Sequence, residues 1–148
     1  MYLKYWLAGF KTSSRSNTSR LHSRNATLER LETRTLLSVQ SLVFGTEMTV
    51  LADANDDVAI GRDASTGDVQ ITANGVVQNG LATAQASTLT SLNVFTESGD
   101  NSIDLTGLDF GGFTSLASVV VDGGDGDDLI IGSNTFAESL LGGDGSDT

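Results

Sequence analysis

From Val39 onward the chain is written in short apolar runs, separated by Gly, Asn, Asp and small polar residues. Met48–Leu51, Asp57–Ile60, Asp68–Thr72, Leu89–Phe95 and Leu116–Val121 are the clearest runs. Several alternate apolar and polar with a period of two, which turns one face toward a core, so they are predicted strands. Asn74-Gly75 stands between two such runs and predicts a tight hairpin, because both residues tolerate positive φ. Residues 78–88 are rich in Ala, Thr and Ser and read as a loop, with Leu81–Ala86 suited to one turn of helix. No long helical periodicity follows residue 38.

The first 38 residues have a different texture. After a short apolar start, residues 1–26 are polar and basic, without periodicity, and read as a disordered leader. Residues 27–38 read as a short amphipathic helix: Leu28, Leu31 and Leu36 fall near one face, Glu and Arg cover the other, and Asn25 or Thr27 would cap its start. No stretch approaches the roughly 18 apolar residues of a membrane span, so none is expected. A simple signal peptide fits poorly, because the basic region is long and the apolar region interrupted. Thr35–Val43, followed by the small-x-small Ala52-Asp53-Ala54, is the one stretch similar to such a signal, and Gly45–Glu47 breaks it.

Within the predicted helix, Leu31-Glu32-Thr33-Arg34-Thr35-Leu36-Leu37-Ser38 resembles the Leu-Glu-Pro-Arg-x-Leu-Leu segment of the LEPR-XLL domain family, with Thr33 in place of the Pro. That element stands near the N-terminus of large, repeat-rich bacterial surface or secreted proteins. The resemblance implies export, and an extracellular or cell-surface location.

Charge divides the chain at the same boundary. Residues 1–38 hold seven bases and two acids, a net +5; residues 39–148 hold one base, Arg62, and 17 acids, a net −16. A basic leader therefore precedes an acidic body. Without Cys there is no disulfide, thiolate site or thiol nucleophile, and the single His22 leaves no imidazole pair for zinc or a Ser-His-Asp triad in the body. Apolar content of 39% with 6% aromatics points to a thin or repetitive core. Asp56/Asp57 as a glycosidase pair is disfavoured, since neighbours on a strand face opposite ways. One basic residue in the body argues against a lyase of acidic polysaccharides. The leader lacks interleaved aromatics, so no nucleic-acid partner is expected.

The chemistry-bearing motif is Gly123-Gly124-Asp125-Gly126-Asp127-Asp128-Leu129-Ile130-Ile131, which fills every fixed position of the nonapeptide G-G-x-G-x-D-x-U-x. A second copy begins at Gly142-Gly143-Asp144-Gly145-Ser146-Asp147 and meets the chain end at Thr148. Both copies are similar to the repeats-in-toxin, or haemolysin-type, calcium-binding repeat.

That resemblance implies an all-β body over residues 39–148, a right-handed parallel β-helix or β-roll-like solenoid, with calcium-binding repeats at 123–148. Asp128 and Asp147 lie 19 apart, two nonapeptides plus one residue, so both turns would stack on one edge and the extra residue would bulge. Calcium takes six to eight oxygens at about 2.3–2.6 Å, more than side chains alone supply. Gly123, Gly124, Gly126, Gly142, Gly143 and Gly145 would let turn carbonyls reach the ion, and Asp128 and Asp147 would be its principal side-chain ligands. Asp125, Asp127 and Asp144 would add ligands or only negative potential. Ile130 would point inward, with Leu129 and Ile131 alternating outward or toward neighbouring coils. Residues 122–148 carry seven acids and no base, a repulsion that a divalent ion would relieve.

Fainter echoes stand upstream. Asn55-Asp56-Asp57-Val58 and Gly99-Asp100-Asn101-Ser102-Ile103 align the motif's sixth position at Asp56, Asn101 and Asp128, with gaps of 45 and 27, both multiples of nine. Lacking the double glycine, these read as corners rather than metal sites. The expected function is calcium-coupled structural or adhesive work outside the cell, without catalysis. Self-association through an open end is the expected protein contact. A chain that stops within a repeat reads as part of a longer one, and the alternative is the N-terminal fragment of a secreted hydrolase with its catalytic domain beyond residue 148.

Overall fold

A computed structural model describes residues 39–148. The leader, the helix predicted over residues 27–38 and the LEPR-XLL-like segment lie outside the described residues. Ten strands form two five-stranded sheets: β1 Val39–Phe44, β2 Glu47–Ala52, β3 Asp57–Arg62, β4 Val69–Ala73, β5 Val76–Val77, β6 Ser91–Thr96, β7 Ser102–Asp104, β8 Ser118–Asp122, β9 Leu129–Ile131 and β10 Glu138–Leu141. One sheet has the order β1-β2-β6-β8-β10, the other β5-β4-β3-β7-β9. All five predicted runs lie in or overlap strands, and a single 3₁₀ turn, Ala86–Thr88, interrupts the 78–88 loop. Val39–Val43, part of the signal-like stretch, lies in β1.

The expected right-handed parallel β-helix or β-roll is not what forms. Both sheets are mixed. β2-β6-β8-β10 and β3-β7-β9 are parallel, but β1 is antiparallel to β2, β4 to β3 and β5 to β4. Turn length is the physical cause. A parallel neighbour needs a crossover of a dozen or more residues, whereas a two-residue loop returns the chain antiparallel. Gly45-Thr46 joins Phe44 to its partner Glu47, with Gly45 at φ 62°, as in a type II′ turn. Asn74-Gly75 joins Ala73 to Val76 with φ of 51° and 75°, the left-handed pair of a type I′ turn and the hairpin predicted from sequence. These hairpins finish one edge of each sheet.

Period-two alternation builds the core. The register aligns Met48, Leu92 and Val119 across three strands, and Val50, Val94 and Val121 beside them, all buried. Ala73, Val58 and Ile103 form the matching row in the other sheet, and Ile130 continues it half-buried. Leu105, Leu108, Phe113 and Leu116, from the connection between β7 and β8, fill the space at its end. Burying each such side chain contributes about 1.5–3 kcal/mol. Burial thins toward the last strands: Leu140, in register with Val121, is 40% exposed. Leu129 and Ile131 point outward on β9, as the alternation predicts.

Candidate metal centre

Three chain segments pass from the first sheet to the second through the same corner, following β2, β6 and β8, and the residues after β10 stack on the third of them. Their sixth-position residues form a ladder. The Asp56 N–H donates to Asn101 Oδ1 at 2.9 Å, the Asn101 N–H to Asp128 Oδ1 at 2.8 Å, and the Asp128 N–H to Asp147 Oδ1 at 3.0 Å. A second ladder, running the other way, uses the fifth positions. Asp100 donates to Asn55 Oδ1 at 3.2 Å, Asp127 to Asp100 Oδ1 at 3.0 Å and Ser146 to Asp127 Oδ1 at 2.9 Å. The alignment of Asp56, Asn101 and Asp128 by multiples of nine thus corresponds to physical rungs. A carboxylate or amide is needed at each because a corner N–H has no strand partner to receive it.

The nonapeptide turns add a tight backbone stack. Asp125 and Asp144 form a bridge, the Asp144 N–H donates to the Gly124 carbonyl at 2.9 Å, and the Gly126 N–H to the Asp144 carbonyl at 2.8 Å. A Cβ on Gly143 would land on the Gly124 carbonyl oxygen, and Gly143 has φ 107°, so only glycine serves there. Strands β8 and β10 share the 19-residue offset of the corner itself, so the extra residue is taken up between β9 and β10 rather than bulging in the turn.

The predicted ligands do not share one environment. Asp128 is buried, 2% exposed, and its Oδ2 has no hydrogen-bond donor. That oxygen packs against Gly123, near the Gly142 carbonyl. Asp147 is exposed and packs on Gly142, with its Oδ1 accepting from Asp128. Asp125, Asp127 and Asp144 face solvent. Among the described residues, no three His, Cys, Asp or Glu groups stand together as a ready-made metal cage. What the corner holds is one orphaned carboxylate oxygen beside the Gly142 carbonyl, and oxygen donors of this kind suit a hard cation such as calcium.

The first corner carries a feature that sequence reasoning missed. Asp56 is also 2% exposed, and its Oδ2 is likewise without a partner. Its Oδ1 accepts from Asn74 Nδ2 at 2.7 Å, so the hairpin asparagine ends the ladder where a further corner N–H would stand. Partial desolvation, the adjoining Asp56 carboxyl and the charge of Glu97 hold the Asp53 carboxyl above the usual aspartate pKa. The aligned sixth position at Asp56 was the only signal available in the sequence.

No family model matches the chain, and no curated protein or solved structure matches it significantly. Among the described residues no helix is long and apolar enough to cross a membrane.

Proposed function

We propose that this is a calcium-ion-binding structural protein of the cell exterior, in which calcium at the Gly123–Asp128 and Gly142–Asp147 turns couples ion binding to ordering of the stacked corner. The observation that carries this reading is the buried Asp128 carboxylate, with one oxygen held by Asn101 and the other without a donor. Such an oxygen carries a desolvation cost of several kcal/mol unless a proton or cation meets it. The Gly142 carbonyl beside it offers a further oxygen of the kind calcium takes. The exterior location rests on the resemblance at Leu31–Ser38 and on the repeat resemblance at 123–148.

Thermal unfolding of the full chain tests the reading. Calcium at about tenfold its Kd adds about 1.4 kcal/mol, hence a Tm rise of roughly 5 °C that EDTA reverses. Asp128→Ala and Asp147→Ala should each weaken that response. An equal rise with magnesium, or the full response in both variants, overturns the assignment.

A further inference from the structure

One dipeptide occurs twice within a short stretch: Asn74-Gly75 in the β4–β5 hairpin and Asn79-Gly80 in the turn that follows β5. Both asparagines are exposed. Asn-Gly is the pair most open to attack by a backbone nitrogen on the side-chain amide, because glycine puts no Cβ in the way. The Gly nitrogen bonds to Asn Cγ, the bond from Cγ to Nδ2 breaks, and ammonia leaves with the proton of the Gly N–H. Water then opens the succinimide ring at one carbonyl or the other, giving aspartate or isoaspartate. No electrons are exchanged, and water is the only co-reactant.

The two pairs differ in what holds the asparagine. Asn74 Oδ1 accepts the Asp57 N–H at 3.0 Å, and its Nδ2 donates to Asp56 Oδ1 at 2.7 Å. Its Cγ cannot turn onto the Gly75 nitrogen without breaking both bonds. Asn79 is tied through its backbone, its N–H donating to the Val77 carbonyl at 3.1 Å. Among the described residues no hydrogen bond holds its side chain, and a Cβ on Gly80 would meet nothing within 4 Å.

We propose that Asn79-Gly80 is a self-modifying site, converting spontaneously to aspartate and isoaspartate in the folded chain, and that the corner ladder holds the identical Asn74-Gly75 pair unreactive. Conversion at Asn79 takes no partner from either ladder, so the fold accepts the added charge and the longer isoaspartate backbone. At Asn74 the same chemistry would exchange the Nδ2 donor for a carboxylate oxygen facing the buried Asp56 carboxylate. The reaction needs no cation and stands apart from the calcium reading.

Ageing the full chain at mildly alkaline pH, with peptide mapping by mass spectrometry, follows both sites in one sample. Two hydrogen bonds must break only at Asn74, so Asn79 should convert faster in the folded chain by about tenfold or more. In urea, where those bonds are gone, the two rates should converge. Equal rates in the folded chain overturn the inference, because the ladder would then give no protection. So does an Asn79 that stays intact in the folded chain and converts only in urea. A difference that persists in urea also overturns it, since neighbouring sequence would then set the rates. Chain converted at Asn79 alone should keep the parent Tm, and a clear loss overturns the independence of this turn from the ladders.

Discussion

The corner after β2 and the corner after β8 reach the same end by different routes. Each delivers a 2% exposed aspartate whose Oδ1 is hydrogen-bonded and whose Oδ2 is not. The later corner uses glycines at its first, second and fourth positions, so backbone stacks directly on backbone. The earlier one has Leu51, Ala52 and Ala54 in those places, with Asn55 at φ 61° making the reversal. Both corners keep the side-chain rung, Asn55 receiving the Asp100 N–H as Asp127 receives that of Ser146, and at the earlier corner Asn74 closes the end of the ladder. The buried carboxylate is thus set by the ladder, whereas the glycines set how closely the next turn can approach.

The largest effect should come from adding one methyl to the glycine turn after β10, which stacks on the later corner. Gly143→Ala places a Cβ on the Gly124 carbonyl oxygen and forces an L-residue into positive φ. Strain of about 1–2 kcal/mol and overpacking of about 1–3 kcal/mol together predict a loss of about 3 kcal/mol by chemical denaturation. Ala54→Gly, at the fourth position of the earlier corner, should change stability by less than about 1 kcal/mol. Equal losses at both sites would break the distinction between the corners.

Next comes the cap. Asn74 donates to Asp56 Oδ1 at 2.7 Å, accepts the Asp57 N–H at 3.0 Å and sits at φ 51°. Asn74→Ala leaves a buried oxygen and a backbone donor without partners, at a cost of about 2 kcal/mol. Asn74→Gly keeps the turn conformation and should recover part of that loss. If Asn74→Gly is as stable as the parent, Asn74 serves the hairpin alone and does not cap the ladder.

Such contrasts explain what was legible in the sequence. Strands were legible because alternation is local, and Met48–Leu51 or Leu116–Val121 display it without reference to any neighbour. The Asn74-Gly75 hairpin was legible for the same reason. Sheet direction was not, because the repeat resemblance covers only residues 123–148 and carries no information about Gly45-Thr46. The motif's sixth position singled out Asp128 as a candidate ligand, and its burial is added by the structure. The burial of Asp56 was not legible either, since its environment depends on Asn101, 45 residues later, and on Asn74 across a hairpin. Side-chain caps of this kind leave no pattern in a single sequence.

A smaller effect tests the orphaned oxygen itself. Without calcium, Asp128→Asn keeps an acceptor for the Asn101 N–H and removes a buried charge from an acidic corner, so it should raise stability by about 1 kcal/mol. Asp56→Asn should act in the same direction. With calcium the order at Asp128 should reverse. Urea unfolding with EDTA and with calcium measures both. A loss of stability in EDTA would mean that the charged carboxylate has a fixed donor after all.

The smallest effect separates a satisfied carboxylate from the two orphans. Asp63, in the loop between β3 and β4, accepts from the Ser65 N–H at 2.7 Å, the Ser65 hydroxyl at 2.5 Å and the Thr66 N–H at 3.0 Å. The Ser65 hydroxyl, with the two backbone N–H groups, favours the ionised form and lowers the Asp63 pKa. A carboxyl with a depressed folded-state pKa contributes stability above its unfolded value, and that stability is lost as pH falls through the folded one. Asp63→Asn should therefore lower Tm slightly at neutral pH, and the gap to the parent should close below the ordinary aspartate range. Ser65→Ala should narrow it halfway. The orphans predict the opposite sign in EDTA: Asp128→Asn should raise Tm. If both variants shift Tm in the same direction in EDTA at neutral pH, the difference between a donor-rich loop and a donor-poor corner does not govern these aspartates.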